Sequence, residues 1–262
     1  MRSLVPDVVV LDIEMPELDG ISTLPKLLER RRDLVVIMAS ALTRDHAEVT
    51  LKALALGAAD YIPKPAAEGG VMTSIAFQRD LIAKIQALGH RKRSRPPLPP
   101  YARRSAYAAT RRLGGAVQRA VKWQTAEDEA PGNLKLRPFA LVPPRVLLIG
   151  ASTGGVEALT AVLSRFPANC PPTIVTQHMP PLFMTTFAAR LDRICAPSIV
   201  EAETGCPLRV GQVYLAPGGR HLELTSVGQP RCRLSDAPKV NGHRPSVDVM
   251  FASVARTLGP RA

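Results

Sequence analysis

The sequence predicts an α/β fold in two halves separated by a linker, and three observations carry that expectation. Short apolar runs alternate with helix-length stretches in both halves, the pattern of parallel sheets built from βα units. A stretch rich in proline and arginine, with no sustained period of 2 or 3.6, divides them. Polar residues capable of chemistry stand where apolar runs end, the sheet edge at which open α/β folds place their ligands. In order, strands are expected at 8–11, 34–38 and 61–62, with helices at 21–30 and 46–56. The linker follows, with one short helix near 105–122. Beyond it come a strand at 146–149, a helix at 156–164, a strand at 173–176 and a helix at 183–191. Shorter strands at 198–201, 212–216, 221–225 and 231–235 are expected as an antiparallel or irregular addition, closed by an amphipathic helix at 247–258.

Composition narrows the function classes. At 262 residues and 46% hydrophobic, the chain can bury one ordinary core or two smaller ones. No apolar run approaches the roughly 20 residues needed to cross a bilayer, and the N-terminus does not read as a signal peptide, so a soluble cytoplasmic protein is expected. Cys170, Cys195, Cys206 and Cys232 form no C-x-x-C pair and have no histidine at ligand spacing, which points to reduced structural thiols and not to zinc. The net charge of +12 suggests a nucleic-acid binder until it is located. Residues 91–145 hold 13 Lys or Arg against three acids and so supply ten of those charges, which describes one segment and not a binding face. Binding of nucleic acid through that segment is therefore not expected; if it occurred, its affinity would fall steeply with salt.

In the N-terminal half, Asp12 ends the run Val8-Val9-Val10-Leu11 and leads into Ile13-Glu14-Met15-Pro16. Ser40 ends the second run, and Lys64 follows the third, just before Pro65. Any one of these could simply start a loop. Together they deliver a carboxylate, a hydroxyl and an ammonium to one sheet edge, the groups that an aspartate accepting a phosphoryl group needs around the transferred oxygens. With the D-x-x-M-P, G-A-x-D-Y and K-P patterns around them, residues 5–67 resemble the second half of a response-regulator receiver domain. The resemblance implies a flavodoxin-like fold, Asp12 as phosphoacceptor, Ser40 and Lys64 as phosphate-contacting residues, and Mg²⁺ as the cofactor of phosphorylation. The acidic pair that helps hold Mg²⁺ in that family has no counterpart here, so no metal ligand beyond Asp12 is assignable.

In the C-terminal half, Ser152 lies in Gly150-Ala151-Ser152-Thr153-Gly154-Gly155, between a strand and a helix. A serine on such a turn projects its hydroxyl at the sheet edge beside helix N-terminal N–H groups that can stabilise an oxyanion. The turn could instead cradle a phosphate, though it lacks the G-x-G-x-x-G spacing and the G-K-[ST] ending, or Ser152 or Thr153 could be a plain helix cap. His178 ends the next strand, so adjacent parallel strands would bring it beside Ser152, as a nucleophile and its base require. Thr153, His221, His243 and Arg244 are weaker candidates for lining the site. Asp248 is adequately explained as a helix cap.

The motifs G-A-S-T-G-G, T-Q-H-M-P-P, Y-L-A-P-G-x-R-H and H-R-P-S-V-D-V together resemble the chemotaxis response-regulator protein-glutamate methylesterases of the CheB type, over residues 146–258. That resemblance implies Ser152 as nucleophile, His178 as base, no cofactor for the ester chemistry, and hydrolysis of glutamate methyl esters on chemoreceptors, with deamidation of glutamines. A chemotaxis histidine kinase would supply the phosphoryl group. The expected organisation is a partial receiver domain at 1–68, its C-terminal helix at 69–90, the basic linker at 91–144, and at 145–262 a doubly wound α/β methylesterase domain without its C-terminal part. The different-class alternative is a non-catalytic, phosphorylation-dependent binding module, which would have no use for the Ser152/His178 pair. The family's third catalytic residue, an aspartate in a G-M-G-x-D-G motif, does not occur in these residues, and the chain is expected to be cut short at both ends. Loss of that acid is expected to cost on the order of 10⁴-fold in rate by analogy with triad mutants. Ester hydrolysis by residues 1–262 is accordingly expected to run far below that of a full-length relative, and a matching rate would overturn this.

Overall fold

The computed structural model describes residues 6–65, 71–93, 144–225 and 229–259. The described residues before and after the linker belong to one compact unit. The expected linker, and the short helix near 105–122 within it, lie outside the described residues.

Before the linker, β1 (Val8–Asp12), β2 (Val35–Ser40) and β3 (Asp60–Pro63) form a parallel sheet in the order β1-β2-β3. Asp12 pairs with Ala39, and Ser40 with Pro63, so the carboxyl ends of all three strands lie level. Helices α1 (Gly20–Arg30), α2 (Arg44–Ala55) and α3 (Val71–Arg93) follow the strands in turn. Each of the first two starts on a side-chain cap: Asp19 accepts from the Ser22 N–H at 2.6 Å and Thr43 from the His46 N–H at 3.3 Å. Gly20 opens α1 against the strand, where an added Cβ would lie 2.0 Å from the Asp12 carbonyl oxygen. No other residue fits that junction.

After the linker, β4 (Leu147–Ala151), β5 (Thr173–Gln177), β6 (Ser198–Glu201) and β7 (Gln212–Leu215) form one sheet, ordered β4-β5-β7-β6 and parallel throughout. This corrects the expectation for the strands near 198 and 212: they complete the main parallel sheet. Their apolar runs are short, and a strand of four residues carries too little pattern to tell a buried parallel strand from an antiparallel one. Only β8 (His221–Leu224) and β9 (Cys232–Ser235) pair antiparallel, as a separate two-stranded sheet. Helices α4 (Gly155–Leu163), α5 (Pro181–Ile194) and α6 (Val247–Leu258) complete this half. Ser253 of α6 holds β8 directly, its hydroxyl accepting from the Leu224 N–H at 2.8 Å.

One apolar cluster runs through both halves, from Leu24, Met38 and Leu51 to Leu163, Phe183 and Leu215. Within it, the rings of Tyr61 on β3 and Phe183 on α5 stack with centroids 4.8 Å apart and planes 5° from parallel. Arg190, also on α5, donates from Nη1 to the Leu51 carbonyl oxygen of α2 at 2.6 Å. Phe183 is fully buried. Its truncation to alanine is expected to cost about 3–5 kcal/mol, read as a lower urea midpoint, whereas Phe183→Leu should lose clearly less.

Candidate active site

Register brings the chemistry of the C-terminal half together. Ala151 pairs with Gln177 across β4 and β5, so Ser152 and His178 leave neighbouring strands side by side. The Ser152 Oγ lies 3.1 Å from His178 Nδ1. An Nδ1 lone pair can accept the serine proton only if the ring's own proton sits on Nε2, and Nε2 is buried without a partner among the described residues. Burial, then the charge of His243, push the His178 pKa down to about 4, while Asp248 and Asp80 oppose the shift. At neutral pH the ring is therefore a free base, the state a proton acceptor must start in.

The turn after Ser152 is built on glycine. Gly154 caps α4 in the left-handed region at φ 72°, with no side-chain cap, so neither Ser152 nor Thr153 serves as the helix cap. Thr153 sits half-buried in that turn. Gly155 leaves room for a buried side chain that the sequence reading passed over, Gln177: a Cβ on Gly155 would fall 2.0 Å from Gln177 Oε1. Gln177 Nε2 donates to the Ser152 carbonyl oxygen at 3.0 Å and to the His178 carbonyl oxygen at 3.2 Å. One amide thus ties the backbones of both residues, and nothing in T-Q-H marks a glutamine for that task.

The weaker candidates separate. His221 is fully buried, with Nδ1 accepting from the Ser246 N–H at 3.1 Å and Nε2 facing the Pro238 carbonyl oxygen at 3.0 Å. Both nitrogens are spent on backbone, so the expectation that His221 lines the site gives way to a role in fastening the loop before α6. Arg244 turns the same way, Nη1 donating to the carbonyl oxygens of Asp236 at 2.8 Å and Ala237 at 3.2 Å. His243 does reach the site: its ring lies on that of His178, centroids 3.8 Å apart and planes 7° from parallel. Asp248 is not a cap; Ser246 holds that position, and the Asp248 carboxylate accepts from Asn241 Nδ2 at 2.7 Å.

In the N-terminal half, Lys64 Nζ lies 2.7 Å from Asp12 Oδ1, which also accepts the Glu14 N–H at 3.1 Å. Burial alone would raise the Asp12 pKa, but Lys64 and the Glu14 amide outweigh it and hold the carboxyl below its ordinary range. Ser40 shares the sheet edge, yet its fully buried hydroxyl accepts from Thr50 Oγ1 at 2.7 Å and points to the Ala41 carbonyl oxygen, not to Asp12. Around Asp12, His46 pairs with Glu14 at 2.8 Å. Among the described residues no three His, Cys, Asp or Glu side chains cluster as metal ligands. Asp12 offers a carboxylate at this edge, and Mg²⁺ characteristically takes one or two carboxylates and fills the rest of its octahedral shell with water and phosphate oxygens.

Fold and site define an α/β protein with a receiver half and a serine–histidine pair at the edge of a second parallel sheet. Residues 147–262 match the CheB methylesterase family and residues 1–76 the response regulator receiver domain family. A protein-glutamate methylesterase/protein-glutamine glutaminase 1 of Caulobacter vibrioides is 42% identical over 264 residues, covering 100% of this chain and 67% of its own length. The chain belongs to the CheB methylesterase family. A protein-glutamate methylesterase/protein-glutamine glutaminase of group 2 operon from Bradyrhizobium diazoefficiens is 46% identical over 265 residues, covering 95% of this chain and 64% of its own. The chain spans about two thirds of the length of such curated relatives. The crystal structure of the Thermotoga maritima CheB methylesterase catalytic domain is similar at 38% identity and TM-score 0.42, over 44% of this chain and 62% of its own. No helix among the described residues is long and apolar enough to cross a membrane.

Removing the Gln177 amide frees two backbones at once. Gln177→Ala is expected to slow covalent modification of Ser152 by a serine-directed phosphonate by about tenfold or more, the scale of two lost hydrogen bonds of about 0.5–1.5 kcal/mol each, with the fold retained by circular dichroism.

Proposed function

We propose that this chain carries the catalytic pair of a receiver-regulated protein-glutamate methylesterase, acting in the cytoplasm on methylated glutamates of chemoreceptors and deamidating receptor glutamines. The observation that carries the reading is the Ser152 Oγ to His178 Nδ1 distance of 3.1 Å at the edge of β4 and β5. Ser152 would attack the ester carbonyl as His178 takes its proton at Nδ1. The same proton would pass to the departing methanol, leaving an acyl-enzyme that water hydrolyses by the reverse relay. For a glutamine the leaving group would be ammonia, and the product again a glutamate. The imidazolium formed midway carries a buried Nε2–H, which calls for a carboxylate acceptor. The CheB resemblance assigns that place to the aspartate of a G-M-G-x-D-G motif, which these residues do not contain.

For the receiver half we infer phosphorylation of Asp12 by a chemotaxis histidine kinase, with Lys64 neutralising the transferred group. The 2.7 Å Asp12–Lys64 pair supports this, because a carboxylate kept ionised is the competent acceptor. Ser40 would join the phosphoryl group only after its hydroxyl leaves Thr50. Mg²⁺, when bound, would offset charge on the phosphoryl oxygens, with Asp12 as the residue that would supply it a carboxylate oxygen.

Phosphonate labelling of Ser152, followed by mass spectrometry, tests the enzyme reading. Labelling is expected in the wild type, abolished by Ser152→Ala and reduced at least 100-fold by His178→Gln, on the scale of a lost general base. Because the folded His178 pKa lies near 4, below the ordinary imidazole value, labelling should persist on acidification past pH 6 and fall only as pH drops through about 4. Labelling that survives Ser152→Ala would overturn the assignment.

A further inference from the structure

His243 is exposed, yet it is braced on every side. It closes a two-residue turn in which Val240 and His243 exchange backbone hydrogen bonds at 3.1 and 3.0 Å. Asn241 and Gly242 occupy the centre of that turn at φ 52° and 81°, a left-handed pair that Asn-Gly suits. Asn241 is tied to Asp248 on the first turn of α6 at 2.7 Å. On the other side, Arg244 grips the Asp236 carbonyl oxygen, and buried His221 fastens both Pro238 and Ser246. Four side chains thus hold in place a tip whose outermost aromatic ring lies flat on His178.

We infer that His243 is a positioning residue for the proposed hydrolysis: its ring covers one face of His178 and holds the imidazole plane so that Nδ1 points at Ser152. The inference rests on the reading that Ser152 and His178 are nucleophile and base. Hydrogen bonds restrain the His178 ring little: among the described residues its side chain makes one, to the hydroxyl it must release. Its Nε2 has no partner among the described residues. A flat ring 3.8 Å away and 7° from parallel supplies the missing restraint without using either nitrogen. Stacking also removes water from the ring and sets a second imidazole against any positive charge on it, and both effects favour the neutral base. The groups acting on His178 from its surroundings are His243 and Lys84, which oppose its protonation, and Asp248 and Asp80, which favour it.

Two readouts separate this role from general support of the loop. Histidine side-chain NMR of the full chain gives the titration midpoint of His178, assigned by loss of its signal in His178→Gln, whether or not the chain hydrolyses anything. His243→Ala is expected to move that midpoint up from about 4 toward the ordinary imidazole value. His243→Phe, which keeps a flat ring over the face, is expected to stay closer to the wild type. In parallel, phosphonate labelling of Ser152 at pH 7.5, well above either midpoint, should fall about tenfold or more in His243→Ala, the scale of a misaligned base, and recover most of that loss in His243→Phe. A loop-support role alone would make the two variants alike. A His178 midpoint that does not move in His243→Ala, or a His243→Phe variant as slow as His243→Ala, would overturn the inference. Failure of the enzyme reading looks different: wild-type Ser152 would not label at all, while the NMR midpoints would still decide whether His243 governs the ring.

Discussion

Parallel pairing of β4 with β5 places Ala151 opposite Gln177, and the chemistry of the C-terminal half hangs on that pairing. A shift by one residue would turn every side chain of β5 to the other face of the sheet. All five residues of β5 are buried, so such a shift is blocked by packing from both sides. The register then dictates the rest. Ser152 and His178 follow the paired residues immediately, Gln177 lies between them, and its amide reaches both carbonyl oxygens. Gly155 is required because the glutamine end fills the space its Cβ would occupy. Gly218 serves the neighbouring turn likewise, since a Cβ there would meet Pro181 N at 2.5 Å and Met179 O at 2.7 Å.

The two sheet edges set different charge states with similar means. Asp12 is partly shielded from water, which works against its charge, but an ammonium at 2.7 Å and a backbone N–H overcome that and keep it anionic. His178 is also shielded, and no carboxylate among the described residues hydrogen-bonds to it; the neighbour lying against it is another imidazole, so it stays neutral. An anionic acceptor of a phosphoryl group and a neutral acceptor of a proton are what the two proposed reactions start from.

Much of this was legible in the sequence because strand ends carry it. Apolar runs located β1, β2, β4 and β5, and the residue ending or following each run gave Asp12, Ser40, Ser152 and His178. What escaped depends on contacts between segments distant in the chain. Gln177 looks like any polar residue at a strand end until the turn before α4 closes over it. His221, in Y-L-A-P-G-x-R-H, looked as available as His243; that its nitrogens bind Pro238 and Ser246 follows only from how β8 meets the loop before α6. The Asn241-Gly242 pair that makes the Val240–His243 turn went unread, and nothing in the sequence shows the target at which that turn aims His243. The placement of β6 and β7 failed for a simpler reason, since four-residue strands leave parallel and antiparallel pairing undetermined.

Within the proposed function, the route between the two sites is short. Tyr61 stands three residues before Lys64 on the strand that presents that lysine, and it is buried. Its ring stacks on Phe183, two residues into the helix whose start, Pro181, is pressed against Gly218 and lies three residues beyond His178. Each step in this series is a close-packed contact or a few residues of backbone, and close-packed interiors pass on displacement with little slack. Because Phe183 is fully buried and faces a planar ring, it has little room to absorb motion itself.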